Sequence, residues 1–202
     1  MNWEMFDEYQ IEQIKKGQKA GLDVSLYADS KYDYGQMTII RQGLEQGLNV
    51  SLYADPKYRF MQMRMIKEGL EEGLDVSVYA DPKYDYQQME QIREGLRTGI
   101  DVSWYVDPKY NWEQMAELRK GLEAGLSGLD VSIYADPKFT KGQMREIRWG
   151  LEEGLDVSVY ADPKYDYQQM EEIRANLKKG LQTEQSHPAV QLNKPTGKGL
   201  ER

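Results

Sequence analysis

The string EEGLDVSVYADPKYDYQQME occupies residues 71–90 and recurs unchanged at residues 152–171. Working outward from it, the tripeptide Asp/Asn-Val-Ser begins at Asp23, Asn49, Asp75, Asp101, Asp130 and Asp156. The interval is 26 residues throughout, except 29 between Asp101 and Asp130, where three extra residues enter near Leu126-Ser127-Gly128. A fixed period of this length marks a tandem repeat, in which one unit cannot bury its apolar face alone and neighbours complete the core.

The module from Asp75 shows what each copy encodes. Asp75 is a good N-cap, because its carboxylate accepts from the free amides of a following turn. Val76, Tyr79 and Ala80 lie three and four apart and share a face of a short helix. Pro82 stops that helix and pushes Asp81 towards an extended backbone. A second start follows at Asp85, with Gln88 at capping-box spacing. Tyr86, Met89, Ile92 and Leu96 then form an apolar stripe at helical period, and Gly99 suits the left-handed residue that ends a helix. Helices this short need partners. We therefore expect an all-α solenoid of about six 26-residue short-helix/long-helix repeats, with a capping helix at the N-terminus.

That N-terminal helix, around Asp7 to Lys19, has Gln18 where later modules place leucine, and the last long helix, around Asp166 to Lys179, has Asn176 where the others have glycine. Both read as caps. Residues 1–185 are expected to form a single repeat domain. From Ser186 the periodicity vanishes, and residues 186–202, SHPAVQLNKPTGKGLER, read as a flexible tail.

Composition narrows the chemistry. The 202 residues include one histidine, His187, and no cysteine. Thiolate nucleophiles, thiolate metal sites and disulfides are excluded, as are multi-histidine metal sites and a Ser/His/Asp triad within the repeats. Asp81 and Asp85 are separated by Pro82, Lys83 and Tyr84, a poor calcium loop, and six near-copies of one carboxylate pair do not make a single catalytic cleft. We expect no enzyme activity, no cofactor and no metal. Acidic residues outnumber basic ones 34 to 26, giving a net charge of −8, which disfavours direct nucleic-acid binding. No apolar stretch reaches the length of a membrane span, and a cytoplasmic location is the expectation.

The string GLDVS-x-YADPKY, followed by QM-x-x-IR-x-GLE-x-GL, resembles the short helical repeats of accessory proteins from gut Firmicutes and their plasmids, phages and conjugative elements. The resemblance covers about residues 7–181. It implies a mobile-element setting, in which binding and counter-defence proteins occur, and it supplies no catalytic residue.

Internal repetition separates skeleton from free positions. Tyrosines recur at Tyr27, Tyr53, Tyr79, Tyr105, Tyr134 and Tyr160, and again at Tyr32, Tyr58, Tyr84, Tyr110 and Tyr165 with Phe139 completing the row. A third aromatic row holds Tyr34, Phe60, Tyr86, Trp112 and Tyr167. Amphipathic aromatics at helical spacing read as core, so all three rows are assigned to packing. The recurring Asp29, Lys31 and Arg41 rows read as ion pairs or turn caps within each module. Arg93→Ala should then lower stability more than partner affinity.

Opposite the Met/Ile/Leu stripe, at ~100° per residue, lie the positions two and five after each methionine. They hold Ile39, Met65, Gln91, Glu117, Glu146 and Glu172, and Gln42, Glu68, Glu94, Lys120, Trp149 and Ala175. Met61 shares this face. Apolar residues interrupt it at Ile39, Met61, Met65 and Trp149, beside Glu68, Glu94, Glu117 and Glu146. We expect this set to be an exposed, acidic partner-binding face with apolar anchors. The recurring charge rows nearly balance, so the acid excess lies mostly on varying positions. The expected function is protein binding without catalysis. The alternative is an anti-defence inhibitor, such as an anti-CRISPR, that blocks the basic channel of a nucleic-acid enzyme by acidic mimicry. A helical-repeat RNA reader is the third reading, disfavoured by the acidic face.

Overall fold

The computed structural model describes residues 2–186. Among them are eight α-helices and no strand: α1 Glu8–Lys19, α2 Tyr34–Glu45, α3 Phe60–Glu71, α4 Tyr86–Thr98, α5 Trp112–Glu123, α6 Gly128–Ser132, α7 Lys141–Glu152 and α8 Tyr167–Ser186. Single 3₁₀ turns lie at Trp3–Met5, Val24–Leu26, Val50–Leu52, Val76–Val78, Val102–Trp104 and Val157–Val159. Each long helix packs on the next along the chain, α1 on α2, α2 on α3, α3 on α4, α4 on α5, α5 on α7 and α7 on α8. No helix among the described residues is long and apolar enough to cross a membrane.

The expected short helix shrinks to one 3₁₀ turn. Asp75 accepts from the Ser77 amide at 3.1 Å and from its hydroxyl at 2.5 Å, which tightens the backbone at once. Tyr79 N–H then closes on Val76 O at 3.0 Å, and Pro82 prevents continuation. Only the copy carrying the insertion differs: Ser127 caps the extra residues, and they wind the five-residue α6.

Long helices start on capping boxes. Asp85 accepts from the Gln88 amide while Gln88 Oε1 accepts from the Asp85 amide, both at 2.8 Å. Asp7, Asp33, Asn111 and Thr140 do the same with Gln10, Gln36, Gln114 and Gln143. Arg59 occupies the cap of α3 and has no acceptor to offer, so there only Gln62 reaches back, at 2.7 Å. The ends follow the Schellman pattern: Gly73 at φ 72° bonds to Leu70 O and Leu74 to Gly69 O. In α8 the corresponding Gly180 does not adopt a positive φ, and the helix runs on to Ser186 rather than ending near Lys179. Beyond that residue, the expected tail and His187 lie outside the described residues.

Helices α2, α3, α4, α5 and α7 are each sandwiched between two other long helices, while α1 and α8 have one such neighbour each. The methionines of the Met row are fully buried, but Ile11, their equivalent in α1, is only half-buried. Ile14, Ile40, Ile66, Ile92, Leu118 and Ile147 are fully buried, but Ile173 in α8 is half-buried. The first row is therefore covered by the preceding module and the second by the following one. Between modules, the amides of Gln36, Gln62 and Gln88 each donate to backbone carbonyls of the next module, those of Tyr58, Tyr84 and Tyr110, at 2.5–2.6 Å. The hydroxyls of Tyr32 and Tyr58 donate onward to Ala54 O and Ala80 O.

Candidate partner-binding surface

Ile39 and Met65, expected on an exposed face, are only 6% and 5% exposed and belong to the core. Glu117 and Glu146 are buried too. Glu117 pairs with Arg148 at 3.0 Å and Lys120 at 3.0 Å, and Glu146 pairs with Arg174 at 3.0 Å and Arg145 at 3.5 Å. Glu68 is half-buried between Arg64 and Arg93, each 2.7 Å away, and half-buried Glu94 pairs with Arg97. Trp149 is half-buried under three guanidinium groups, those of Arg145, Arg148 and Arg174, whose centres lie 4.9, 5.9 and 5.1 Å from its ring. The single-stripe assumption explains the error. Side chains at 200° from the methionine face solvent on a helix with one neighbour, but in a stack they face the second neighbour.

These varying positions form a latch between modules. Each pairs with the basic residue of the next copy: Gln13 with Arg41 at 3.1 Å, Gln91 with Arg119 at 3.1 Å, Glu117 with Arg148 and Glu146 with Arg174. Where the acceptor becomes Ile39, the base becomes Lys67, which turns to Glu71 at 2.7 Å. Where it becomes Met65, Arg93 Nε is buried without a partner among the described residues. The arginine row thus acts between modules as well as within them, since Arg41, Arg119 and Arg148 also pair with Glu45, Glu123 and Glu152 of their own helices. The lysine row behaves as expected. Each Asp accepts from the amide of the Lys two residues on, as Asp81 does from Lys83 at 3.0 Å, and the ammonium stays beside it at 2.8 Å. The Lys83 hydrogen bond holds the Asp81 carboxyl below its ordinary value.

The tyrosine rows divide. Tyr27, Tyr53, Tyr79, Tyr105, Tyr134 and Tyr160 are fully buried, each seated over a helical glycine of the preceding module, and burial pushes the Tyr160 hydroxyl up to about 12. Tyr32, Tyr58, Tyr84 and Tyr110 are buried as well. The third row is not core. Tyr34, Phe60, Tyr86 and Tyr167 are between 36% and 56% exposed, and Trp112 is half-buried. As the first helical residue after its cap, each points off the helix start instead of into the stack. The signal was present in the sequence. This row varies as Tyr, Phe, Tyr, Trp, Lys141 and Tyr, whereas the Tyr27 row never changes.

The exposed aromatics lie along the edge formed by the helix N-termini, and those from Tyr9 to Tyr86 meet or share grooves. Tyr9, which fits none of the rows, meets Tyr34 with ring centroids 5.7 Å apart. Tyr34 and Phe60 line one groove of about 500 Å³. Phe60, Met61 and Tyr86 line another of about 810 Å³, with Pro56 and Pro82 as walls. Lys141 lies 5.9 Å from the Trp112 ring and pairs with Glu113 at 2.7 Å, and a groove of about 800 Å³ continues past Lys141 to Tyr167. Gly35 and Gly142 let this edge close up. A β-carbon at either would come within 3.0 Å of the Phe60 or Tyr167 side chain. Of the expected anchors, Met61 alone joins this surface.

Among the described residues, no group of three or more His, Cys, Asp or Glu side chains is placed to hold a metal ion. No protein family, no curated protein and no solved structure matches the chain.

Proposed function

We propose that the chain is an α-solenoid of 26-residue modules that binds a protein partner and catalyses nothing, with the partner lying along the edge that carries Tyr9, Tyr34, Phe60, Met61, Tyr86, Trp112 and Tyr167. The observation supporting this reading is the row of aromatics near the starts of the long helices, exposed at Tyr9, Tyr34, Phe60, Tyr86 and Tyr167, half-buried at Trp112 and replaced by Lys141 in α7. Aromatic side chains offer large contact area with few torsions to fix, and a contiguous exposed set of them fits an interface. The buried Tyr27 row shows that this scaffold has room for aromatics inside, so their exposure is not forced by composition.

The acidic-mimic reading draws less support, since Glu68, Glu94, Glu117 and Glu146 are each paired with a base of the chain itself. A net charge of −8 weighs against nucleic acid on the aromatic edge. The test is capture from a bacterial lysate by the wild-type chain and by a Phe60→Ser/Tyr86→Ser/Trp112→Ser variant. Phe60 and Tyr86 are exposed and Trp112 is half-buried, and an unchanged helical circular dichroism spectrum and melting temperature check that the variant keeps its fold. A partner retained at high salt by wild type and lost by the variant supports the proposal. A partner held equally by both overturns it, and tight RNA binding lost by the variant moves the edge to the nucleic-acid class.

A further inference from the structure

The stack presents an unmated junction at α8. At internal junctions the cap glutamine donates its amide to the next module, but Gln169 uses only Oε1, which accepts from Asp166 N–H at 2.9 Å, and Nε2 has no acceptor among the described residues. Glu172 stands in the latch row of Gln13, Gln91, Glu117 and Glu146, yet it is exposed and without an ion pair among the described residues. Ile173, Leu177 and Leu181 line an open groove of about 630 Å³ with Leu155. One part of the junction is altered. Asn176 replaces the glycine over which the next module's tyrosine would seat, and at the internal positions a β-carbon alone would collide with that tyrosine. The surface therefore suits a long helix with its preceding turn but excludes a 3₁₀ turn bearing a tyrosine.

The other end of the described chain has that shape. Residues 2–6, ahead of α1, correspond to the turn at residues 28–32, and no tyrosine turn precedes them among the described residues. Trp3 and Met5 are exposed, Ile11 is half-buried, and Lys15 stands in the arginine row with no ion pair among the described residues. The Lys15 ammonium lies 5.9 Å from the ring of the exposed Trp3, and its equivalent Arg41 reaches back to Gln13 of the preceding module. We propose that the α8 end binds the α1 end of a second copy, head to tail, with Lys15 of one molecule on Glu172 of the other and the Gln169 amide on the Phe6 carbonyl. Two arguments carry it. The contact continues an interface used at every internal junction, and the two unpaired charges are opposite and occupy mating rows. Such a heterologous contact adds further copies unless the stack's curvature closes a ring.

The test is the mass of the full chain in solution, by sedimentation or light scattering, over a wide concentration range. The average mass should rise above one chain with concentration. Glu172→Lys alone and Lys15→Glu alone should each weaken association by roughly tenfold, while an equal mixture of the two variants, which re-pairs every contact, should restore it. Both sites are exposed, so melting temperatures should stay put. A single-chain mass at every concentration overturns the proposal. So does association indifferent to both reversals, and so does a full chain that associates only after truncation beyond Ser186, which would assign the groove to residues 187–202.

Discussion

Gly95→Ala sets two physical effects against each other with opposite signs. Gly95 lies inside α4, where alanine favours the helix by about 1 kcal/mol. A β-carbon there, however, would collide with the hydroxyl oxygen of Tyr105 and come within 2.8 Å of Val102 Cγ1. Tyr105 is fully buried, so the ring has no free space to retreat into and must lift the 3₁₀ turn with it. Overpacking of this kind costs about 1–3 kcal/mol, and the long 3.4 Å bond from Tyr105 to Gln91 O, worth at most about 1 kcal/mol, is lost as well. The balance is a destabilisation of about 2 kcal/mol, or a fall in melting temperature of roughly 4–8 °C for a chain of this size. Thermal and urea unfolding followed by circular dichroism measure it. Tyr105→Phe removes the nearest clashing atom, so adding it to Gly95→Ala should recover part of the loss, a coupling that a double-mutant cycle isolates. Gly180→Ala is the control, since it is helical with nothing within 4 Å, and it should gain about 0.5–1 kcal/mol. If Gly95→Ala is neutral or stabilising, the glycine is not a seat for the tyrosine and the account of the module junction is wrong.

Three further outcomes are expected. Arg59→Asp completes the capping box of α3 and should stabilise the chain by about 1 kcal/mol, read as a higher urea midpoint at unchanged slope. Met65→Gln gives Arg93 Nε the acceptor that Gln91 gives Arg119, and relief of a buried orphan donor, about 1–3 kcal/mol, should outweigh the lost methionine packing and raise the melting temperature. Stability should also fall at both pH extremes. Burial raises the hydroxyl pKa of Tyr53, Tyr79, Tyr105 and Tyr134 above the ordinary 10.0, so that stabilisation is complete below pH 10 and is lost as pH rises beyond it. Tyrosinate absorbance and helix loss should therefore change together; smooth ionisation with the helix intact would contradict the burial. The Lys67 and Arg97 hydrogen bonds lower Glu71 and Glu94 from 4.5, so their contribution is present above that pH and fades below it. Glu71→Gln should flatten the acid limb of the melting curve.

The period, the caps and the all-helical class were legible in the sequence because they depend on contacts a few residues apart. Asp85 and Gln88, Pro82 and Gly99 each act on the backbone beside them. The candidate surface was less legible, for a geometric reason. Ile39, Met65, Glu117 and Glu146 look like the outside of a helix when one flank is assumed to be buried, and only the presence of helices on both sides turns them inward. The same assumption placed Tyr86 in the core stripe, although as the first residue of α4 it leaves the helix before the stack begins to cover it. Variation between copies flagged both sets, but it marked inter-module pairing in one case and surface in the other. The two become separable once each varying residue is compared with the position it would face in the next copy: Gln13, Gln91, Glu117 and Glu146 each offer an acceptor to an arginine, Ile39 faces Lys67 instead and Met65 alone leaves its arginine unmatched, while the Tyr34 row has no such counterpart.

The module junction also bears on how such a chain can be rearranged in inheritance. The glutamine link grips backbone carbonyls, which every residue possesses, so a duplicated copy can be joined to any other without adjusting its sequence. The Gln/Glu–Arg latch has no such indifference, because it reads side chains on both halves. Placed behind Ile39, the copy that carries Arg119 would leave its Nε without an acceptor, as Arg93 Nε is behind Met65, whereas the copy with Lys67 fits there. Copy number is therefore freer to change than the order of copies, and a chain with one whole module added should keep more of its stability than one with two modules exchanged.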